Sequence, residues 1–243
     1  MKTFLARLGH GLLDLVYPPI CLVCGDRMDT GTLCERCITA FVPLANPVCV
    51  VCGRPQESRV CGNCERFRSE TGTAFAFDAA RAGAVYGGAV RHAIHLLKYR
   101  NKENVAEPLA AFLADRLVAG VLLPDVDAVQ IVVPVPMHRA RERGYNQARL
   151  LAAPVAAHLG VALLADAAFV RVRATAPQVG QTDKARRANI AAFAVPEPDA
   201  VRGKHVLLID DVYTTGATLH GCAAALKTAG ARTVRAVCLA AGG

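Results

Sequence analysis

Apolar positions along the chain repeat with two different periods. Ala89, Val90, Ala93, Ile94 and Leu97 recur at three- and four-residue steps, as do Val105, Leu109, Phe112, Leu113 and Leu117. The same steps return at Ala148, Leu151, Ala152, Val155 and Leu159, and again at Leu219, Cys222, Ala223 and Leu226. Each set lines one face of a helix. Between these sets lie short apolar runs without alternation, Val129 to Val133, Val206 to Ile209 and Val234 to Leu239. Such runs predict strands buried on both faces of a parallel sheet. Looser β character marks 74–86, read as a hairpin, together with Ala168–Val172 and Phe193–Val195. Strands that alternate with helices predict an α/β fold, a parallel sheet flanked by helices.

The polar residues that follow two of the strands carry the candidate chemistry. After Val206–Ile209 come Asp210 and Asp211, then Thr214, Thr215, Gly216, Ala217 and Thr218, which open a helix. Amides and hydroxyls at a helix N-terminus cradle phosphate. Two carboxylates just upstream suit a sugar diol, with or without a bridging Mg²⁺. The stretch therefore reads as a sugar-phosphate site at the carboxyl end of a strand, where open α/β sheets bind ligands. A Walker-B strand is the competing interpretation, but it requires a P-loop, and G-x-x-x-x-G-K-[ST] occurs nowhere in the chain.

A second strand end carries Pro134, Val135 and Pro136, followed by Arg139, Arg141 and Arg143 and then Gly144-Tyr145-Asn146-Gln147. A rigid corner with three arginines in five positions suits phosphate oxygens, which guanidinium forks bind two at a time. A merely basic surface loop is the alternative. Lys98-Tyr99-Arg100-Asn101-Lys102 forms another basic turn, equally well read as a solvated helix end. The polar excursion from Arg173 to Asn189 has the charge of a lid, although a long hairpin fits it too.

Composition sharpens this picture in two places. Net charge is +8, and the segment 134–190 holds nine basic and three acidic residues, an excess of six. A polyanionic partner is expected, either a pyrophosphate or a nucleic-acid backbone. With no Trp and few other aromatics, a stacking platform for single strands is thinly provided. Eight of the ten cysteines form four Cys-x-x-Cys pairs, Cys21/Cys24, Cys34/Cys37, Cys49/Cys52 and Cys61/Cys64. Gly25 and Gly53 follow the first pair of each set, as the turn of a zinc knuckle requires. The spacing predicts two structural Zn²⁺ sites of four thiolates each, paired in tandem or cross-braced. A disulfide scaffold needs an oxidising compartment. Residues 2–16 are interrupted by Arg7, His10 and Asp14 and do not read as a signal peptide, and no run is long enough for a transmembrane segment. The expected location is cytoplasmic, with the inner face of the membrane as an alternative. Cys222 and Cys238 read as buried thiols.

The order of apolar strand, acidic pair, hydroxyl-rich loop and helix resembles the phosphoribosyl-pyrophosphate loop of type I phosphoribosyltransferases, and Pro134-Val135-Pro136 is similar to the pyrophosphate loop of amidophosphoribosyltransferases. With the cysteine pairs, Lys98-Tyr99, Arg-x-Arg-Gly-Tyr-Asn-Gln at 141–147 and Thr175, Gln178, Arg187, Asn189 and Phe193, the chain resembles the ComF family of competence-related proteins. The resemblance implies a type I phosphoribosyltransferase-like domain over 71–243 behind an N-terminal helix and double zinc ribbon over 1–70. It implies phosphoribosyl pyrophosphate (PRPP) with Mg²⁺ as ligand, Asp210 and Asp211 on the ribose hydroxyls, and Thr214 to Thr218 around the 5′-phosphate. Arg141 and Arg143 would stabilise a departing pyrophosphate, with Arg139 and Pro134 to Pro136 beside them. It further implies a role in DNA uptake or use of external DNA, with single-stranded DNA, the competence helicase and DNA-processing proteins as partners. Ala217 stands where many transferases have a second Gly, and no base-recognition hood is evident. Three classes follow: a phosphoribosyl transferase with an unassigned acceptor, a ligand sensor without turnover, and a DNA-binding scaffold.

Overall fold

The computed structural model describes residues 18–137, 144–172 and 192–242. Five strands build one parallel sheet in the order β1-β7-β6-β2-β3. They are β1 (Ala79–Val85), β2 (Ile131–Pro134), β3 (Ala162–Leu163), β6 (His205–Tyr213) and β7 (Thr233–Ala241). A separate antiparallel pair, β4 (Val170–Arg171) and β5 (Phe193–Ala194), flanks the stretch read as a lid or hairpin. That stretch, Arg173 to Asn189, lies wholly outside the described residues, as do 1–17 and the arginines at 139, 141 and 143.

The helical periods hold. α3 (Gly88–Tyr99), α4 (Ala106–Val118), α5 (Gln147–Leu159) and α6 (Ala217–Thr228) bury the faces read from spacing. Two strand readings need correction. Residues 74–86 form no hairpin: β1 is a single strand lying parallel to β7, so that Ala80 faces Ala236. Its alanine-rich sequence gives weak alternation, and its partner lies at the far end of the chain. β6 does not stop at Ile209 but runs on to Tyr213, because the equally long β7 continues the ladder through Asp210↔Cys238 and Val212↔Ala240. On its other side β2 ends at Pro134, opposite Ile209. The two acids therefore emerge where one neighbour has stopped and the other has not.

Alternate residues of the sheet feed two separate cores. Val132, Leu207, Ile209, Val237 and Leu239 pack with α3, α4 and α5, whereas Val133, Val206, Leu208, Val234 and Ala236 pack with α6. The cysteine-rich region divides between the same two faces. Cys21, Leu33, Cys37 and Phe41 join the first core, and Cys49, Cys52, Cys61, Cys64, Phe75 and Phe77 join the second. The intervening chain follows the free edge of β1, where Val85 donates to the carbonyl of Val42 and Ala80 to that of Val51, both at 2.7 Å.

Candidate functional site

Each cysteine set is built from the same two parts, a knuckle turn and a helix start. Gly25 N–H donates to the Cys21 carbonyl at 2.8 Å, and Gly53 N–H to the Cys49 carbonyl at 2.9 Å. The second pair of each set opens α1 (Glu35–Thr39) or α2 (Gly62–Thr71), with Cys34 and Cys61 at the N-caps. Sulfur separations are 3.8 Å for Cys21–Cys37, 3.7 Å for Cys24–Cys34, 3.8 Å for Cys49–Cys64 and 3.3 Å for Cys52–Cys61. Tetrahedral Zn–S bonds of about 2.3 Å place sulfurs about 3.8 Å apart, so both donor sets fit zinc. Pairing is tandem, Cys21/24/34/37 and Cys49/52/61/64. Burial pushes Cys21 and Cys49 up, but backbone N–H groups around their sulfurs outweigh it and bring them down to about 6 and about 7. The two four-cysteine groups support structural zinc.

The cleft lies at the carboxyl ends of β2 and β6. Asp211 is 7% exposed and turns toward α3, where its Oδ1 meets Lys98 Nζ at 2.8 Å. Burial works against the charge on Lys98, but Asp211 outweighs it and raises the ammonium pKa. Asp210 faces the loop at 214–218, and its Oδ1 accepts the Asp211 N–H at 2.9 Å. Burial, followed by the charge of Asp211, raises the Asp210 carboxyl to about 7. The acids thus have unlike roles: Asp211 is engaged with a cation, and Asp210 opens onto both the cleft and the loop.

The loop ends at Gly216, the N-cap of α6, with φ at 86°. That left-handed conformation favours glycine. A Cβ there would meet the Tyr213 ring at 3.0 Å and Phe75 at 3.2 Å. Across the cleft, Val135 N–H donates to the Ile209 carbonyl at 2.9 Å, which ties the Pro-Val-Pro corner to the acidic strand. Asn146 joins this corner to α5: its Nδ2 donates to the Val135 carbonyl at 3.1 Å, and its Oδ1 accepts Ala148 N–H at 3.0 Å as an N-cap. The next residue, Gln147, is 3% exposed, lines the cleft and has a buried Nε2 with no hydrogen-bond partner among the described residues. Tyr145 donates its hydroxyl to the carbonyl of Leu97, an end group of α3 beside Lys98.

Of the residues singled out from sequence, Pro136, Val135, Asp210, Asp211 and Thr218 line one cleft, and Thr214, Thr215, Gly216 and Ala217 line the adjoining loop pocket. Arg149, counted in the basic segment, is instead paired with Asp166 at 3.0 Å. Lys98 and Gln147, part of the family resemblance without a role of their own, also line the cleft, as does Arg171. Spacing placed Lys98 at a basic turn and Arg171 in a strand, and neither pattern says that the side chain enters a cleft.

Comparison with known proteins bears on the family and the two domains. Residues 12–65 match the double zinc ribbon domain, and residues 146–243 match the phosphoribosyl transferase domain. The DNA utilization protein YhgH of Salmonella typhimurium is 32% identical over 239 residues, covering 93% of this chain and 98% of that protein. The competence protein ComFC of Bacillus subtilis is 26% identical over 230 residues, covering 88% and 91%. The chain belongs to the ComF family. A glutamine PRPP amidotransferase of B. subtilis aligns at a TM-score of 0.39 and 19% identity over 56% of this chain and 27% of that one, which adds no weight to the family match. Among the described residues no helix is long and apolar enough to cross a membrane.

Proposed function

We propose that this ComF-family chain binds PRPP with Mg²⁺ in the cleft between β2 and β6 and serves DNA uptake or the use of external DNA. In this reading residues 1–70 are the ribbon module and 71–243 the phosphoribosyltransferase-like domain. The observation that carries it is the buried Gln147 Nε2, without a hydrogen-bond partner among the described residues, which lines the same cleft as Asp210. A buried donor without a partner costs about 1–3 kcal/mol. An anionic ligand oxygen would remove that cost.

The roles follow from the chemistry of each group. Thr214 to Thr218 and the first amides of α6 receive the 5′-phosphate. Asp210 accepts from the ribose hydroxyls, while Asp211 holds Lys98 in the cleft as a cation for phosphate oxygens. Gln147 and the first amides of α5 face the pyrophosphate beside Pro134 to Pro136, with Arg139, Arg141 and Arg143 contributing further positive charge. Mg²⁺ fits this donor set: hard oxygens from one or two carboxylates plus ligand phosphates are its usual shell. Asp210 is the carboxylate that would hold it, and the ion would neutralise charge on a leaving pyrophosphate. If the phosphoribosyl group is transferred, these cations stabilise the charge that develops on the departing group.

Calorimetry with PRPP and Mg²⁺ tests the reading. Wild type should bind, and Asp210→Asn should lose about ten- to hundredfold in affinity, since hydrogen bonds to charged groups contribute about 1.5–3 kcal/mol. No heat from wild type, or equal binding by the variant, would refute it. Binding without consumption of offered nucleobases or amines would make the protein a sensor. DNA binding without PRPP binding would make it a scaffold.

A further inference from the structure

The second cysteine cluster touches the loop that receives phosphate, and the contact runs through Arg54. This residue follows Cys52 and Gly53 in the knuckle, where its carbonyl accepts Cys49 N–H at 2.8 Å. Its backbone is therefore set by the turn that presents two of the four sulfurs. Its Nη2 donates to the carbonyl of Thr214, 160 residues along the chain, and its guanidinium lies 5.9 Å from the centroid of the Tyr213 ring. Thr214 is the first residue of the loop, and Tyr213 the last of β6.

The far end of the loop is linked to the same module through an aromatic relay. A Cβ at Gly216 would meet the rings of Tyr213 and Phe75 within 3.2 Å, so both rings stand close to the turn. Phe75 stacks on Phe67 at 3.9 Å, and Phe67 belongs to α2, whose N-cap and first turn present Cys61 and Cys64. One helical turn past the loop, His220 Nδ1 accepts the Ala76 N–H at 3.0 Å, with Phe67 against its ring at 4.9 Å. The first cluster faces elsewhere: Thr32 donates to the Asn104 carbonyl and Phe41 packs edge-on against Phe112 of α4.

We propose that Arg54 is a positioning residue that couples zinc in the second cluster to the phosphate loop, so that this zinc and a sugar phosphate bind cooperatively. The first cluster is independent. The proposal rests on the sugar-phosphate reading of the loop. Its physical basis is that the knuckle is ordered by metal, and Arg54 transmits that order by holding the first carbonyl of the loop. Linkage then requires reciprocity, so that each ligand strengthens the other by the same factor.

The test is competition for zinc by a chromophoric chelator, with and without ribose 5-phosphate, a probe that lacks the pyrophosphate and so competes little for metal. Alkylation of released thiols identifies the cluster that has opened. The ligand should raise the chelator concentration needed to empty Cys49/52/61/64 by about tenfold, within the usual range of coupling, and leave Cys21/24/34/37 unchanged. Arg54→Met should keep both zinc ions but lose the protection, and Arg54→Lys should restore part of it. Binding of ribose 5-phosphate without zinc protection would overturn the coupling and leave the reading of the site intact. Failure of wild type to bind ribose 5-phosphate would overturn both. Equal protection in Arg54→Met would remove Arg54 from the path, and equal protection of both clusters would show general stabilisation instead.

Discussion

Lys98 and Asp211 form a largely enclosed ion pair, Nζ to Oδ1 at 2.8 Å, joining the last turn of α3 to the end of β6. Their side chains are 21% and 10% exposed. Removing one member leaves a poorly solvated charge, which is costly. Lys98→Met should therefore lower stability by up to about 3 kcal/mol, below the full cost of a completely buried pair. Lys98→Met combined with Asp211→Leu should recover much of the loss. Urea unfolding of the three variants measures this, and additive losses would show that the pair is not coupled.

The Asp210 carboxyl, raised to about 7, gives the fold a pH dependence of defined sign. The folded state holds this proton more tightly than the unfolded chain, whose group titrates near 4. Stability contributed by the protonated form is therefore complete below about pH 4 and is lost as pH rises through about 7. Asp210→Asn should be more stable than wild type at pH 8, by roughly 1–3 kcal/mol, and nearly equal to it in acid. Urea midpoints at two pH values check this. PRPP binding near pH 6.5 should also release more protons from wild type than from the variant, visible as a difference in buffer-dependent binding heat.

Gln147 separates stability from binding. Its Nε2, without a partner among the described residues, is a liability in the free protein and a donor for the ligand. Gln147→Leu, similar in size, should leave unfolding midpoints unchanged or higher, while PRPP affinity falls about tenfold or more. A variant that loses stability and affinity together would mean that Gln147 acts only through packing.

The two cysteine clusters should hold two zinc ions per chain after purification without added metal. All four sulfurs of the second cluster belong to buried residues, whereas Cys24 in the first is exposed. A chelator should therefore strip the first cluster sooner, and full removal should unfold the module, because the metal supplies folding energy in such small units. A ratio near zero with free thiols would rule out the assignment.

Much of this was legible from local pattern. The acidic pair, the hydroxyl loop, the helices and the four-cysteine sets are written in spacings of one to ten residues, and those spacings survive folding. What stayed hidden depends on distant partners. β1 needs β7 to become a parallel strand, and its alanines offer little hydrophobic signal alone. Lys98 reads as a solvated helix end until Tyr145 holds the Leu97 carbonyl and Asp211 supplies a counter-charge. Asp210 and Asp211 look equivalent as neighbours, yet both line the cleft and only Asp211 pairs with Lys98, while Asp210 also borders the loop pocket.

The passage of chain along the outer rim of β1 has a consequence for the whole molecule. Val42 and Val51 cover that rim with backbone bonds, so the ribbon module is the border that stops the sheet from growing past β1. A chain cut at residue 71 would carry a bare seam, open to stitching with its own copies. Its insolubility would then reflect a missing hem rather than a missing metal.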